Sequence, residues 1–198
     1  FLKAAVKAGY NIFISGGTSS GKTTFLNVLS TYIPEEQRVI TIEDSAELRL
    51  SHKNLVRLET KLANADGYGE INMRDLIKAS LRMRPDRLII GEVRDESAAD
   101  MLQALCTGHE GSMSTGHANS PEDMLLRLET MALWEGHLSS EAVRRQLATG
   151  IDLIIQLKRD AQMCRKVDPI VEVTQNANGS LMTNPIFRSG RMVGKLTH

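Results

Sequence analysis

The sequence predicts an α/β domain, a mostly parallel sheet flanked by helices and closed by a C-terminal hairpin. Three observations carry this. Residues 11–32 read as an apolar run, a glycine-rich loop and an apolar-periodic helix in immediate succession. Further short runs rich in Val, Ile and Leu, at 38–42, 87–92 and 151–157, alternate with helical patterns, the rhythm of strand–helix–strand units. Two last strand-like runs flank Asn176-Ala177-Asn178-Gly179, a turn sequence suited to a hairpin.

Length and composition bound the answer. A chain of 198 residues suits one domain, large enough to bury a core without disulfides or metal staples. Hydrophobic residues make up 41% and charged residues 24%, ordinary values for a globular chain. Lys plus Arg and Asp plus Glu balance at 24 each, which leaves no overall basic footprint for nucleic acid. The two cysteines, Cys106 and Cys164, make neither a disulfide framework nor a four-ligand zinc site, and a reducing, cytoplasmic setting suits them. No apolar run approaches the ~20 residues of a membrane helix, and no signal peptide is visible. The chain opens at Phe1 inside a helical pattern and reads as part of a longer protein.

Residues 1–10 form the lead-in helix, with Gly9 as its stop. A strand at 11–15 then enters Gly16-Gly17-Thr18-Ser19-Ser20-Gly21-Lys22-Thr23-Thr24, a full match to G-x-x-x-x-G-K-[ST]. The glycines let backbone N–H groups turn around phosphate oxygens, and the helix that starts at residue 22 adds unpaired donors. Gly17, Thr18, Ser19, Ser20, Gly21, Lys22, Thr23 and Thr24 are therefore the expected nucleotide-binding residues. Lys22 reaches the β- and γ-phosphates, and Thr23 offers its hydroxyl to Mg²⁺. The helix runs to about residue 32, before Pro34. The strand at 38–42 ends in the acidic cluster Glu43-Asp44-Ser45-Ala46-Glu47, where ligands of open α/β sheets gather.

Residues 55–59 read as a short edge strand and 64–70 as an exposed loop. Asn72 with Asp75 starts a helix to about Arg82. Arg57, Arg74, Arg82 and Arg84 cluster in this third of the chain, open to phosphate contact or to surface ion pairing. The run at 87–92 suits a buried central strand that delivers Glu92 beside the nucleotide, a Walker B arrangement. Ser97 with Asp100 is expected to cap the next helix, which Gly108 ends. A strand at 112–116 follows with His109 and His117 at its two mouths, better suited to phosphate sensing or subunit coupling than to a metal. Ser120-Pro121-Glu122-Asp123 starts another helix, Ser139 or Ser140 a further one ending at Gly150, and 151–157 is a buried strand. The methionines on the helical faces read as core.

The series Gly16–Thr24, Ile42-Glu43-Asp44-Ser45-Ala46-Glu47-Leu48, Arg57-Leu58-Glu59, Met73-Arg74-Asp75-Leu76, Leu81-Arg82-Met83-Arg84-Pro85-Asp86-Arg87, Gly91-Glu92-Val93-Arg94, Thr107-Gly108-His109-Glu110-Gly111 and Thr115-Gly116-His117-Ala118-Asn119-Ser120 resembles the type II/type IV secretion ATPases, also called traffic ATPases. The CpaF-like branch of Tad/Flp pilus assembly looks closest. The resemblance covers nearly the whole chain and implies a RecA-like P-loop ATPase domain over 1–198, with the family's N-terminal domain lying outside it. It implies ATP as substrate, Mg²⁺ as cofactor, a homo-hexameric ring, inner-membrane platform proteins as partners, and a cytoplasmic location peripheral to the inner membrane. Carried over by residue, Lys22 and Thr23 bind phosphate and Mg²⁺, Glu47 stands at the attacking water, and Glu92 stands near Mg²⁺ and water. His109 and His117 form the His box, and Arg57 and Arg74 match arginines that reach the γ-phosphate.

The function expected from the sequence is thus an ATP-hydrolysing motor of pilus assembly or export. An ATPase of DNA transfer or effector secretion is the alternative within the family, and a non-hydrolytic nucleotide-binding assembly module the alternative outside it. Balanced charge weighs against direct nucleic-acid handling. The lack of four cysteines weighs against the zinc-bearing general secretion branch, and no Asn-Lys-x-Asp motif is present to suggest a GTPase.

Overall fold

A computed structural model describes residues 1–134, 136, 138–160 and 162–197. The elements are α1 (Leu2–Ala8), β1 (Ile12–Gly16), α2 (Lys22–Ser30), β2 (Val39–Glu43), β3 (Leu55–Glu59), α3 (Met73–Leu81), β4 (Arg87–Ile90), α4 (Ser97–Leu105), β5 (Met113–Gly116), α5 (Pro121–Leu133), α6 (Ser140–Gly150), β6 (Leu153–Arg159), β7 (Arg165–Gln175), β8 (Leu181–Arg188) and β9 (Arg191–Met192). One sheet holds all nine strands in the order β3-β2-β4-β5-β1-β6-β7-β8-β9. The pairs from β3 through β6 are parallel, and β6 through β9 run antiparallel.

Strand alternation sorts the core onto two faces. Ile12, Ile14, Ile89, Leu153 and Ile155 meet α1 and α2 through Val6, Leu26 and Leu29. Phe13, Leu88, Ile90 and Ile154 meet α3 to α6 through Ile77, Met101, Leu102, Met124, Leu128 and Leu147. Each such side chain contributes roughly 1.5–3 kcal/mol when fully buried, so the two faces together hold the sheet rigid beneath its loops. Met101, Met124 and Met131 are indeed core.

Two differences from the sequence reading have local causes. The start of α4 is not capped by Ser97: the cap position is Glu96, and the Ser97 amide donates to Asp95 Oδ1 at 2.9 Å. An Asx-type turn at Asp95 therefore opens the helix, and the buried Ser97 hydroxyl caps no amide among the described residues. Asp100 is drawn instead to Arg74 Nε at 2.5 Å and Lys78 Nζ at 3.4 Å. The hairpin also continues into a ninth strand, where Arg188 and Arg191 pair across the Ser189–Gly190 corner. Both Asn72 and Ser120 cap their helices as expected, Asn72 in a full capping box.

The sheet order fixes where a site can form. The parallel strands β2, β4, β5, β1 and β6 all present their carboxyl ends on one side. Those ends carry Glu43, Gly91-Glu92, Gly116-His117, the glycine-rich loop and Arg159.

Candidate nucleotide site

Gly16 ends β1 because the chain leaves no room for a side chain there. A Cβ would lie 2.5 Å from Ser20 Oγ and 2.8 Å from the Leu157 carbonyl. The loop then turns through Ser19 at φ 58° and reaches Gly21 at φ 96°, the cap position of α2. The amides of Gly21, Lys22, Thr23 and Thr24 take no hydrogen-bond partner among the described residues. They are the open donors of a helix N-terminus, available to an anion.

The loop borders a cleft of about 520 Å³ lined by Thr18, Ser19, Gly21, Lys22, Thr23 and Thr24 on one side. Glu43, Asp44, Ser45, Glu47, Gly91, Glu92, Arg94, Thr115, His117 and Arg165 line the rest. Lys22 is mostly buried, and its Nζ donates to the carbonyls of Gly16 at 3.0 Å and Gly17 at 3.3 Å. The same Nζ lies 3.3 Å from His117 Nδ1, while His117 Nε2 lies 2.6 Å from Glu92 Oε1. Burial lowers the Lys22 pKa against a raising influence from Glu92. Burial also lowers the His117 pKa, which Glu92 opposes and Lys22, Arg127 and Arg94 reinforce. His117 is thus a neutral imidazole at pH 7, placed between the loop lysine and the β4 carboxylate.

Thr23 Oγ1 donates to Glu47 Oε2 at 3.4 Å, across the cleft from the acidic turn. That turn is held at several points. Glu43 Oε1 accepts the Glu47 amide at 3.0 Å and the Leu48 amide at 2.8 Å. Glu59 Oε1 accepts the Ala46 amide at 2.7 Å, and Asp44 forms an ion pair with Arg94.

The structure brings together Lys22, Thr23, Glu47, Glu92 and His117. It leaves three expected residues outside the cleft. Arg57 Nη2 donates to the Leu50 carbonyl at 2.9 Å on the edge strand β3. Arg74 lies between α3 and α4 against Asp100. His109 Nδ1 lies 3.0 Å from the Ala104 carbonyl, at the end of β5 opposite His117. Sequence reasoning missed Arg159 and Arg165, which face each other across the β6–β7 ladder. Arg159 Nη2 donates to the Ser19 carbonyl at 2.5 Å, and the Arg165 side chain crosses Gly21, its Cδ 3.2 Å from where a Cβ would stand. The signal was topological: β6 lies beside β1, so whatever leaves its carboxyl end meets the phosphate loop.

The donor set fits a nucleotide with a divalent cation. Among the described residues no group of three or more His, Cys, Asp or Glu is arranged to hold a metal. Mg²⁺ needs no such group, since it takes one or two protein oxygens and fills the rest with phosphate and water.

Fold and site together define a P-loop nucleotide-binding α/β protein. The sequence matches the family described as "Type II/IV secretion system protein" over residues 1–194, and the chain belongs to that family. It is 37% identical over 186 residues to a putative conjugal transfer protein of Mycobacterium tuberculosis, covering 94% of this chain and 52% of that one. It is 38% identical over 161 residues to Protein VirB11 of Agrobacterium fabrum, covering 80% and 46%. The chain spans about half the length of the curated relatives it matches. Among solved structures, the VirB11 ATPase of the Brucella suis type IV secretion system, in complex with sulphate, superposes with a TM-score of 0.78 at 33% identity, covering 86% of this chain and 50% of that one. The pilus retraction motor PilT with bound ADP gives 0.69 at 26% identity, covering 88% and 51%. Among the described residues no helix is long and apolar enough to cross a membrane.

Proposed function

We propose that this chain is the ATP-hydrolysing part of a type IV secretion or conjugal-transfer motor. It works as a homo-hexamer, peripheral to the cytoplasmic face of the inner membrane and against platform proteins there. The observation that carries the reading is the convergence of Lys22, Thr23, Glu47, Glu92 and His117 on one cleft beside open helix-terminal amides. The conjugal-transfer and VirB11 relatives support the DNA-transfer or effector-export reading over the Tad/Flp pilus expected from sequence. The balanced charge supports a motor that acts on protein components of that machinery rather than on nucleic acid itself.

In this mechanism the phosphate chain of ATP lies on the amides of Gly21 to Thr24. Lys22 exchanges the Gly16 and Gly17 carbonyls for β- and γ-phosphate oxygens. Thr23 and Glu92 are the residues suited to Mg²⁺, which when bound neutralises charge on the transferring group. Glu47 orients the attacking water and takes its proton. His117, neutral and in contact with both Lys22 and Glu92, reports whether the lysine is engaged by phosphate. Arg57 and Arg74, outside their own cleft, serve a neighbouring subunit's nucleotide across the ring.

Phosphate release by the full-length protein tests this. Lys22→Ala is expected to lose nucleotide binding and turnover, and Glu47→Gln to bind ATP without hydrolysing it. A wild-type ring that binds ATP and releases no phosphate favours the non-hydrolytic assembly module. Normal turnover by Glu47→Gln removes Glu47 from the chemistry.

A further inference from the structure

We propose that Glu43 is the positioning residue for Glu47, and that it takes no part in the chemistry itself. The inference rests on the hydrolytic reading above and deepens it.

Four carboxylates surround the acidic turn after β2, and their side chains have different tasks. Glu43 is the last residue of β2 and is only 4% exposed. Its Oε1 accepts two successive amides, Glu47 at 3.0 Å and Leu48 at 2.8 Å. A single acceptor on two consecutive N–H groups fixes the direction of the peptide that carries the Glu47 side chain. Leu48, itself buried, pins the next residue to the core beneath. Glu59 holds the Ala46 amide and Asp44 holds Arg94, so both are spent on the turn's other side. Glu47 alone reaches across to Thr23, the residue beside the phosphate-loop lysine.

Close packing makes the Glu43 hold specific. A Cβ on Gly91 would stand 3.1 Å from Glu43 Cγ, so glycine at that place lets the carboxylate run between the ends of β2 and β4. The backbone of Glu43 is fixed as well, its carbonyl accepting the Thr60 amide at 3.0 Å. A group that also lines the cleft is an obvious rival for the general base. Glu43 and Glu47 are separable because the positioning role uses only an acceptor oxygen, which an amide side chain retains, whereas a base needs a carboxylate.

The experiment uses the full-length protein and three variants. Glu43→Gln keeps an acceptor for both amides and is expected to keep turnover within about threefold of wild type. Glu43→Ala frees the turn and is expected to lower kcat by ~10²-fold, the scale of a misplacement near 1 Å, with nucleotide affinity within about threefold. Glu47→Gln is the inactive reference. Amide hydrogen exchange at Glu47 and Leu48 gives a readout independent of turnover: slow in wild type and Glu43→Gln, fast in Glu43→Ala. Should Glu43→Ala not fold, the wild-type and Glu43→Gln exchange rates and turnover still decide. A Glu43→Gln protein as inactive as Glu47→Gln overturns the proposal, as does fast exchange at both amides in wild type. A wild-type ring without ATPase activity but with both amides protected would instead sink the hydrolytic reading and leave the hold of Glu43 on the turn standing.

Discussion

Arg165 offers the most direct measurement on the cleft. Three basic side chains line it, and two are already engaged: Lys22 with the loop carbonyls and Arg94 with Asp44. The Arg165 side chain lines the same cleft and has no hydrogen-bond or ion-pair partner among the described residues. It stands directly opposite Arg159 on the antiparallel ladder, and like charges so placed destabilise a sheet. Arg159 has the Ser19 carbonyl for compensation, and Arg165 has only what enters the cleft. A charge-assisted hydrogen bond contributes about 1.5–3 kcal/mol, and the lower end applies to an exposed guanidinium. Arg165→Ala should therefore weaken ADP or ATP binding ~10-fold, read by titration calorimetry or a fluorescent nucleotide at low salt. The melting temperature without nucleotide should stay unchanged or rise slightly, because a repulsion is removed and no partner is orphaned. Arg165→Lys should recover part of the affinity. An unchanged Kd at low salt, with the fold intact, refutes the reasoning.

Two further outcomes follow from buried groups. Gly111 has φ 77°, and a Cβ there would stand 1.3 Å from Arg87 Nη1, a buried guanidinium that donates to the Val6 carbonyl and Gln37 Oε1. Gly111→Ala should cost ~3–5 kcal/mol in denaturant unfolding, from left-handed strain plus displaced charged hydrogen bonds, while Gly190→Ala, at φ 79° in open space, should cost only ~1 kcal/mol. The His117 pKa is lowered from 6.5 chiefly by burial, so below about that pH the unfolded chain binds the proton more readily than the folded one. Stability should be level in this respect above pH 7 and fall as pH drops through 6.5, and His117→Gln should flatten that fall in a series of denaturant midpoints.

What the sequence discloses and what it hides have physical reasons. Strand–loop–helix order around Lys22, the capping of α3 and α5, and the run ending at Glu92 are local patterns, and the structure places each where the pattern puts it. Ser97 misled because the helix begins at Ser97 itself, with Glu96 at the cap position, and the Ser97 amide is taken by Asp95 Oδ1 from two residues earlier. Arg57 and Arg74 were expected from the family resemblance to reach a γ-phosphate; within this chain one lies on an edge strand and the other in a helix–helix ion pair, and neither placement has a local signature. Arg159 and Arg165 were invisible for the converse reason. Their approach to Ser19 and Gly21 depends on β6 inserting beside β1, a pairing of residues about 140 apart in the chain. The division of labour among Glu43, Asp44 and Glu47 is equally hidden, because three acids in one turn look alike until each one's partners are known.

The charges of the cleft lead to a last expectation. Its lining carries four carboxylates, Glu43, Asp44, Glu47 and Glu92, against three cations, Lys22, Arg94 and Arg165, with His117 neutral at pH 7. A phosphate loop usually meets a polyanion with positive potential, yet this cleft holds one net negative charge before any nucleotide enters. Asp44 and Arg94 cancel as a pair, so Lys22 and Arg165 face Glu43, Glu47 and Glu92. Bringing a triphosphate beside three carboxylates is unfavourable unless a divalent cation accompanies it, since like charges a few ångströms apart repel by several kcal/mol at an effective dielectric near 20. ATP affinity should therefore fall ~100-fold or more when EDTA removes Mg²⁺. The Glu47→Gln and Glu92→Gln proteins, with less negative clefts, should each lose less affinity on the same treatment. Inorganic sulfate or phosphate should bind only weakly without the metal. Equal ATP affinity with and without Mg²⁺ in the wild-type protein would mean that the carboxylates do not face the phosphates, and the assignment of Glu47 and Glu92 to the reacting end of the nucleotide would fall with it.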